Sequence, residues 1–220
     1  MSNAVLSPSP ARRSDNHSGT KLAAGVALAL WLVVVYLLGG SGAFVAQPGT
    51  PPRAILIGVV GPVVAFFAAY RASRSFREWA LTADLRPIMA IQAWRFAGLG
   101  FLALYTHGVL PGSFALPAGL GDLAMGLTAP WVLVALLRRP DFAKSATFKL
   151  WNVFGILDLV VALGTGALSS ALATGKVGEV TSGPMAQLPL LLIPAYLVPI
   201  LLMLHATALL QARTGAAPRG

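Results

Sequence analysis

The sequence contains no cysteine, and few of its residues carry a charge. The absence of cysteine excludes disulfides, thiolate metal sites and thiol catalysis. Only 10% of the 220 residues are charged, whereas a soluble domain carries about 25%. Because 56% of the residues are hydrophobic, too little polar surface remains to cover a soluble core. This composition predicts a membrane protein.

Motifs for catalysis and nucleotide binding are also missing. The chain has no phosphate loop, no Gly-x-Ser-x-Gly elbow and no His-Glu-x-x-His pair. The loops between the apolar segments are too short for an extramembrane domain. His107 and His205 are expected on opposite sides of the membrane, so they cannot share a metal ion. We therefore predict no cofactor, no metal site and no catalytic residue, and an enzyme is the least favoured class.

The net charge of +9 would indicate nucleic-acid binding in a soluble protein. The chain carries no RNA- or DNA-binding motif, so no nucleic-acid partner is expected. In a membrane protein, basic residues instead mark the loops that stay in the cytoplasm.

Six apolar segments are each long enough, or nearly so, to cross about 30 Å of hydrocarbon as a helix. Backbone groups in lipid must be hydrogen-bonded within their own segment, so these segments are expected to be helical. The predicted fold is all-α, an integral membrane bundle of six transmembrane helices over residues 22–210. A disordered cytoplasmic tail (1–21) and a short cytoplasmic tail (211–220) flank it. The predicted spans are 22–40, 54–70, 88–109, 115–137, 149–170 and 186–209.

Basic residues distribute unequally between the two ends of this bundle. Thirteen lie in the termini and in the loops after the second and fourth spans, whereas the other loops hold only Arg53 and Lys176. The positive-inside rule then places both termini in the cytoplasm. Ser14 and Thr214 should be cytoplasmic and Gly178 should be outside. Three tryptophans fall near the same basic face, as an aromatic belt would: Trp79, Trp94 and Trp151.

The basic link between the second and third spans mixes arginines with Phe76 and Trp79. This pattern fits a short helix on the membrane surface, and an ordinary basic loop fits equally well. The sixth span carries Pro189, Pro194 and Pro199, each of which can bend a helix. Bent helices can line cavities, but they are also common in membrane proteins.

Three charged residues lie well inside predicted spans: Arg95, Asp122 and Asp158. Each costs about 2.5–3.5 kcal/mol at mid-membrane on insertion scales. The two aspartates share their helix faces with small residues such as Gly119 and Gly155, which let a neighbouring helix approach. The functional interpretation is a polar site or proton route through the bundle. The structural interpretation is a charged staple between helices.

Counting residues from the span ends predicts an Arg95–Asp158 ion pair, with Asp122 nearer the outer face. In that arrangement Asp122 is protonated or bonded to a neighbouring helix. The alternative is that Arg95 extends to the cytoplasmic headgroups. His205 is expected near the cytoplasmic end. The candidate polar site comprises Arg95, Asp122, Asp158, Asn152, Gln92 and His205.

Two runs of the sequence, "RFAGLGFLALYTHGVLPGSFALPAGLGDLAMG" and "WNVFGILDLVVALGTG", resemble small bacterial membrane proteins to which no activity is attached. The resemblance implies the bacterial cytoplasmic (inner) membrane as the setting and brings no functional residue. Two functions remain open, with the lipid bilayer as partner in both. One is a small permease or proton-linked transporter that handles a small solute or a proton. The other is a structural or assembly subunit that meets a membrane protein partner.

Overall fold

A computed structural model describes residues 10–214, with side chains from residue 19 onward except that of Pro140. Every regular element within this range is a helix, so the predicted all-α class is confirmed there. The α-helices are α1 Pro10–Gly40, α2 Arg53–Ala72, α3 Arg74–Thr82, α4 Leu85–Gln92, α5 Leu99–Thr106, α6 Gly112–Arg138, α7 Ala146–Ala171 and α8 Val198–Thr214.

The described residues also form three 3₁₀ segments and one π-helical turn. A 3₁₀ stretch, Ala93–Gly98, joins α4 to α5 in one continuous path, and a π-helical turn, Ile193–Leu197, leads into α8. Two shorter 3₁₀ segments lie in the loops, at Pro140–Lys144 and Gly183–Ala186.

Within residues 10–214, six helical stretches are long and apolar enough to cross a membrane, as the six apolar segments predict. They are Gly19–Gly40, Arg53–Ala72, Leu85–Thr106, Gly112–Arg138, Ala146–Ala171 and Ile193–Thr214.

Two boundaries differ from the prediction in ways that matter below. The sixth span begins at Ile193 rather than at residue 186, because residues 187–191 form bends and turns around Pro189, which has no N–H for a helical bond. The first helix begins at Pro10, so it takes in residues 10–21 of the predicted N-terminal tail. Residues 1–9 of that tail, and residues 215–220 of the C-terminal one, lie outside the described part of the chain.

The two ends of the bundle differ in charge. The loops that follow α1 and α7 meet at one end, where Ser170 Oγ donates to the Thr50 carbonyl at 3.1 Å. The loop after α5 joins them, since Leu110 packs in one cluster with Met185. We call this the weakly charged end, because its loops hold only Lys176 and Glu179 as charged residues. The opposite end carries α3 and the loop after α6, and we call it the basic end.

The basic link after α2 forms a helix, α3, as one of the two interpretations predicted. Ser73 caps it, since its Oγ accepts a hydrogen bond from the Phe76 N–H at 3.2 Å. Gln211 of α8 fastens the link to the bundle: its Nε2 donates to the carbonyls of Ala80 at 2.8 Å and Ala83 at 3.0 Å. The hydrogen bonds hold α3 across the basic end.

Candidate functional site

Arg95 lies at the centre of the bundle, on the 3₁₀ stretch of the third span. Its side chain is only 1% exposed. The backbone there packs against α6 at Gly126, where an added Cβ would overlap the Phe96 nitrogen and the Arg95 carbonyl carbon. A 3₁₀ stretch inside a longer helix often marks a functional or strained position. Glycine on α6 therefore lets the third span approach closely enough to bring the guanidinium to the interior.

Two aspartates bind the guanidinium from two different helices. Arg95 Nε donates to Asp122 Oδ1 of α6 at 2.6 Å, and Arg95 Nη2 pairs with Asp158 Oδ2 of α7. The Arg95–Asp158 ion pair predicted from helix depth is thus present. With both carboxyl groups ionised, this cluster of three charges has a net charge of −1, and one proton would neutralise it.

A neutral chain of hydrogen bonds leaves the other side of Arg95. Its Nη1 faces His205 Nε2 at 3.4 Å and the Gly155 carbonyl at 3.5 Å. His205 Nδ1 lies 2.9 Å from Asn152 Oδ1, and Asn152 Nδ2 donates to the Phe148 carbonyl at 2.9 Å. Because the amide NH₂ of Asn152 is used on a carbonyl, its oxygen must accept from His205 Nδ1–H. A guanidinium only donates, so Arg95 Nη1 can bond to His205 Nε2 only if that nitrogen carries no proton, and in this arrangement His205 is the neutral tautomer.

His205 and Asp122 both lie elsewhere than the sequence predicts. His205, expected near the cytoplasmic end, is fully buried beside Arg95. It lies nine residues before the end of α8 at Thr214, roughly 14 Å along the helix, because α8 continues past the predicted end at 209. Asp122, expected between the Arg95–Asp158 pair and the outer face, binds Arg95 itself, which confirms the predicted bond to a neighbouring helix but not the separation from the pair. Since α6 begins at Gly112, Asp122 is ten residues in, or roughly 15 Å deep.

Gln92 is the one predicted site residue that does not join the network. It lies one turn before Arg95, fully buried, and its side-chain oxygen and nitrogen have no hydrogen-bond partner among the described residues. Its amide could accept and donate hydrogen bonds, so an internal water molecule would satisfy it.

The structure adds two residues that sequence reasoning did not place in the site. Gly155 carries no Cβ where the His205 ring passes, and an added one would overlap ring atoms Cε1 and Nε2. Trp151 lies with its ring 5.6 Å from that of His205 and donates from Nε1 to Thr128 Oγ1 at 2.9 Å. The sequence did indicate Gly155, because it lies on the same helix face as Asp158. It did not indicate Trp151 as a site residue, because a tryptophan near a helix end also fits an aromatic belt.

A cavity of about 90 Å³ reaches the charged cluster from the weakly charged end. Asp122 is the one charged residue that lines it, and its side chain is 18% exposed. A single water needs roughly 10–15 Å³ of such space, so several fit. The remaining wall is mostly apolar, with Phe101 and Phe114 on one side and Leu159 and Leu163 on another.

A second, more polar cavity of about 280 Å³ adjoins it among the loops. Ser170, Gly183 and Ala46 line both cavities. Glu179 lines the outer one, where the Thr174 backbone N–H and then its hydroxyl hold the pKa of this carboxyl below its ordinary value. Because the two cavities share these three residues, we call the outer cavity, which Glu179 lines, the polar entrance.

Comparison with known proteins identifies the family of this chain but assigns no activity to it. No curated protein and no solved structure matches the chain. Residues 52–213, which hold α2 to α8 up to Arg213 and every residue of the charged cluster, match a domain of unknown function, DUF8737. Since the match covers nearly three quarters of the sequence, the chain belongs to this family of uncharacterised domains.

Proposed function

We propose that this protein is a small proton-linked permease of the bacterial cytoplasmic membrane, with Arg95, Asp122 and Asp158 as its coupling centre. The observation that carries the proposal is the cavity of about 90 Å³ whose inner end is Asp122. A carboxylate used only to staple helices needs no connection to solvent-sized space. Ionisable groups inside membrane spans are rare and commonly mark ion or substrate pathways.

The charge balance of the cluster supports proton binding. Two carboxyl groups share one guanidinium, so the cluster is neutral only when one of them holds a proton. A net charge in a low-dielectric interior is costly, so a proton or another cation is expected to bind when the cluster is closed off from solvent. Asp122 is the carboxyl group that a proton could reach through the cavity.

The basic residues support the orientation. With thirteen of them at the basic end or in the termini, that end faces the cytoplasm and the weakly charged end faces outward. The polar entrance near Glu179 would then collect solutes from outside the cell.

Proton movement through reconstituted protein tests this proposal. Liposomes containing the protein and an internal pH-sensitive dye are given an inside-negative potassium diffusion potential. The wild type should acidify the interior faster than protein-free liposomes, and Asp122→Asn should return the rate to the protein-free level. Asp141→Asn is the control, because Asp141 is an exposed loop residue paired with Lys144 at 2.9 Å. Equal rates for the wild type and Asp122→Asn would overturn the proposal.

A structural or assembly role is the second candidate, and Arg95 itself favours it. The guanidinium on the third span contacts groups on α6, α7 and α8, which is what a staple between helices does. If this is the whole role, Asp122→Asn lowers the stability of the protein while proton flux in the wild type equals that of protein-free liposomes.

A further inference from the structure

The inner cavity has a mostly apolar wall and, among the described residues, a single carboxylate, that of Asp122. Phe101 and Phe114 stack edge to face with ring centroids 5.6 Å apart, and both line the cavity. Leu159 and Ile193 line it from α7 and from the π-helical turn. A site of this kind suits a ligand with an apolar body and one polar or charged group.

Asp122 has a free oxygen to offer such a ligand. Its Oδ1 accepts from Arg95 Nε, and its Oδ2 has no hydrogen-bond donor among the described residues. The ionised cluster has one more carboxylate than cations, so a single positive charge placed at Oδ2 would balance it. A charge-assisted hydrogen bond to a carboxylate is about twice as strong as a neutral one.

The volume of the cavity limits the size of this ligand. An apolar cavity of about 150 Å³ in another protein binds benzene, which has six heavy atoms. A cavity of about 90 Å³ therefore admits roughly four heavy atoms by the same measure.

We propose that this cavity binds a short alkylammonium ion, with its ammonium group on Asp122 Oδ2 and its alkyl group against Phe101, Phe114 and Leu159. The inference rests on the proposed function and names its substrate class. The cation and a proton compete for Asp122, because either one balances the extra negative charge of the ionised cluster. The centre can therefore also pass protons when no alkylammonium ion is present.

Binding is measured on the purified protein in detergent, without any transport. Isopropylammonium chloride is the probe, and isopropanol is its uncharged analogue with the same number of heavy atoms. Sodium chloride at equal ionic strength is the salt control. The ammonium salt should raise the melting temperature of the wild type in a saturable way, and the two controls should not. An equal effect of isopropanol or of sodium chloride would overturn the proposal.

Two aspartate variants test where the cation binds. Asp122→Asn and Asp158→Asn each remove one carboxylate from Arg95, but only Asp122 lines the cavity. Asp122→Asn should weaken isopropylammonium binding by about tenfold or more, as the loss of a charge-assisted bond predicts. Asp158→Asn should weaken it less. Equal weakening would mean that the net charge of the cluster, and not Asp122 Oδ2, attracts the ion, and the proposed site would be wrong.

A cavity-filling variant covers the case in which Asp122→Asn does not fold. Ala162 lines the cavity on α7, and Ala124 is exposed on α6. Ala162→Leu should abolish the melting-temperature increase given by isopropylammonium, and Ala124→Leu should keep it. If Ala162→Leu also keeps it, the ion does not bind in this cavity. If proton flux depends on Asp122 but isopropylammonium does not bind, the proposed permease function is retained and only the alkylammonium ligand class is rejected.

Discussion

Arg95 is the residue on which the buried network depends, because it alone connects the two aspartates to the histidine chain. Removing it leaves two unpaired carboxylates in the interior, whereas removing Asp158 leaves the guanidinium still paired with Asp122. Breaking a buried ion pair from one side costs about 3–5 kcal/mol, mostly because a charge is left without a partner. The cost of losing Arg95 should therefore exceed the cost of losing Asp158.

A double-mutant cycle measures the coupling between the two residues. Arg95→Ala and Asp158→Ala should each lower the free energy of unfolding, and the double variant should lose about 0.5–3 kcal/mol less than the sum. The free energies come from denaturation of the purified protein in detergent.

Arg74 and Glu78 of α3 provide the matched control pair. They are joined at 3.1 Å with side chains 90% and 57% exposed, and such pairs couple by about 0.2–1 kcal/mol. Strict additivity for Arg95 and Asp158 would mean that their interaction does not stabilise the bundle.

At this scale the sequence predicted the Arg95–Asp158 pair but not its neighbours. The pair could be predicted because both helices begin at the basic end and the sequence put both starts three residues too late, so the two errors in depth cancelled. Asp122 and His205 could not be placed, since each depth depended on a helix end that the sequence put three to five residues from its position in the structure. Such errors shift a side chain by about one helical turn.

Close contact between α6 and the third span is the feature of the elements that positions the charges. Gly98 and Gly119 face each other, with an added Cβ on either meeting the other's carbonyl oxygen at 2.9 Å. About two turns further along α6, Gly126 meets the backbone of Phe96. A close contact on this face of α6 was predicted, because the sequence placed the small residue Gly119 on the same face as Asp122. The 3₁₀ stretch that this face packs against was not, because Ala93–Gly98 carries no local signal for one and the geometry comes from packing.

Replacement of Gly126 tests this contact. Gly126→Leu should destabilise the protein by about 1–3 kcal/mol, because the new side chain meets rigid backbone and overpacks the interface. Gly164→Leu on α7 is the control, since nothing lies within 4 Å of a Cβ at that position. Melting temperatures in detergent compare the two. If Gly126→Leu has the same melting temperature as the wild type, that face of α6 is not packed against the third span in solution.

The whole molecule places its charged groups in three layers. Arginine and lysine side chains cover the basic end, a cluster of three charges lies near the middle, and the loops of the other end carry little charge. Composition and the six apolar segments predicted this outline. They could not predict the cavity, because an empty volume arises from how side chains of α2, α5, α6 and α7 fit together, and no sequence period records that.

The sidedness of these layers is open to direct labelling, because the chain has no native cysteine to remove. Single-cysteine variants at Thr214, exposed at the end of α8, and at Val177, fully exposed in the loop after α7, sample the two ends of the bundle. Ser14→Cys samples the segment before the first apolar stretch. In intact bacterial cells, a maleimide that does not cross the membrane should label position 177 and spare positions 14 and 214, because basic loops stay in the cytoplasm. Permeabilised cells supply the control in which Thr214→Cys becomes labelled. Labelling of position 214 from outside, with 177 protected, would invert the orientation, and the cavity that ends at Asp122 would then open toward the cytoplasm.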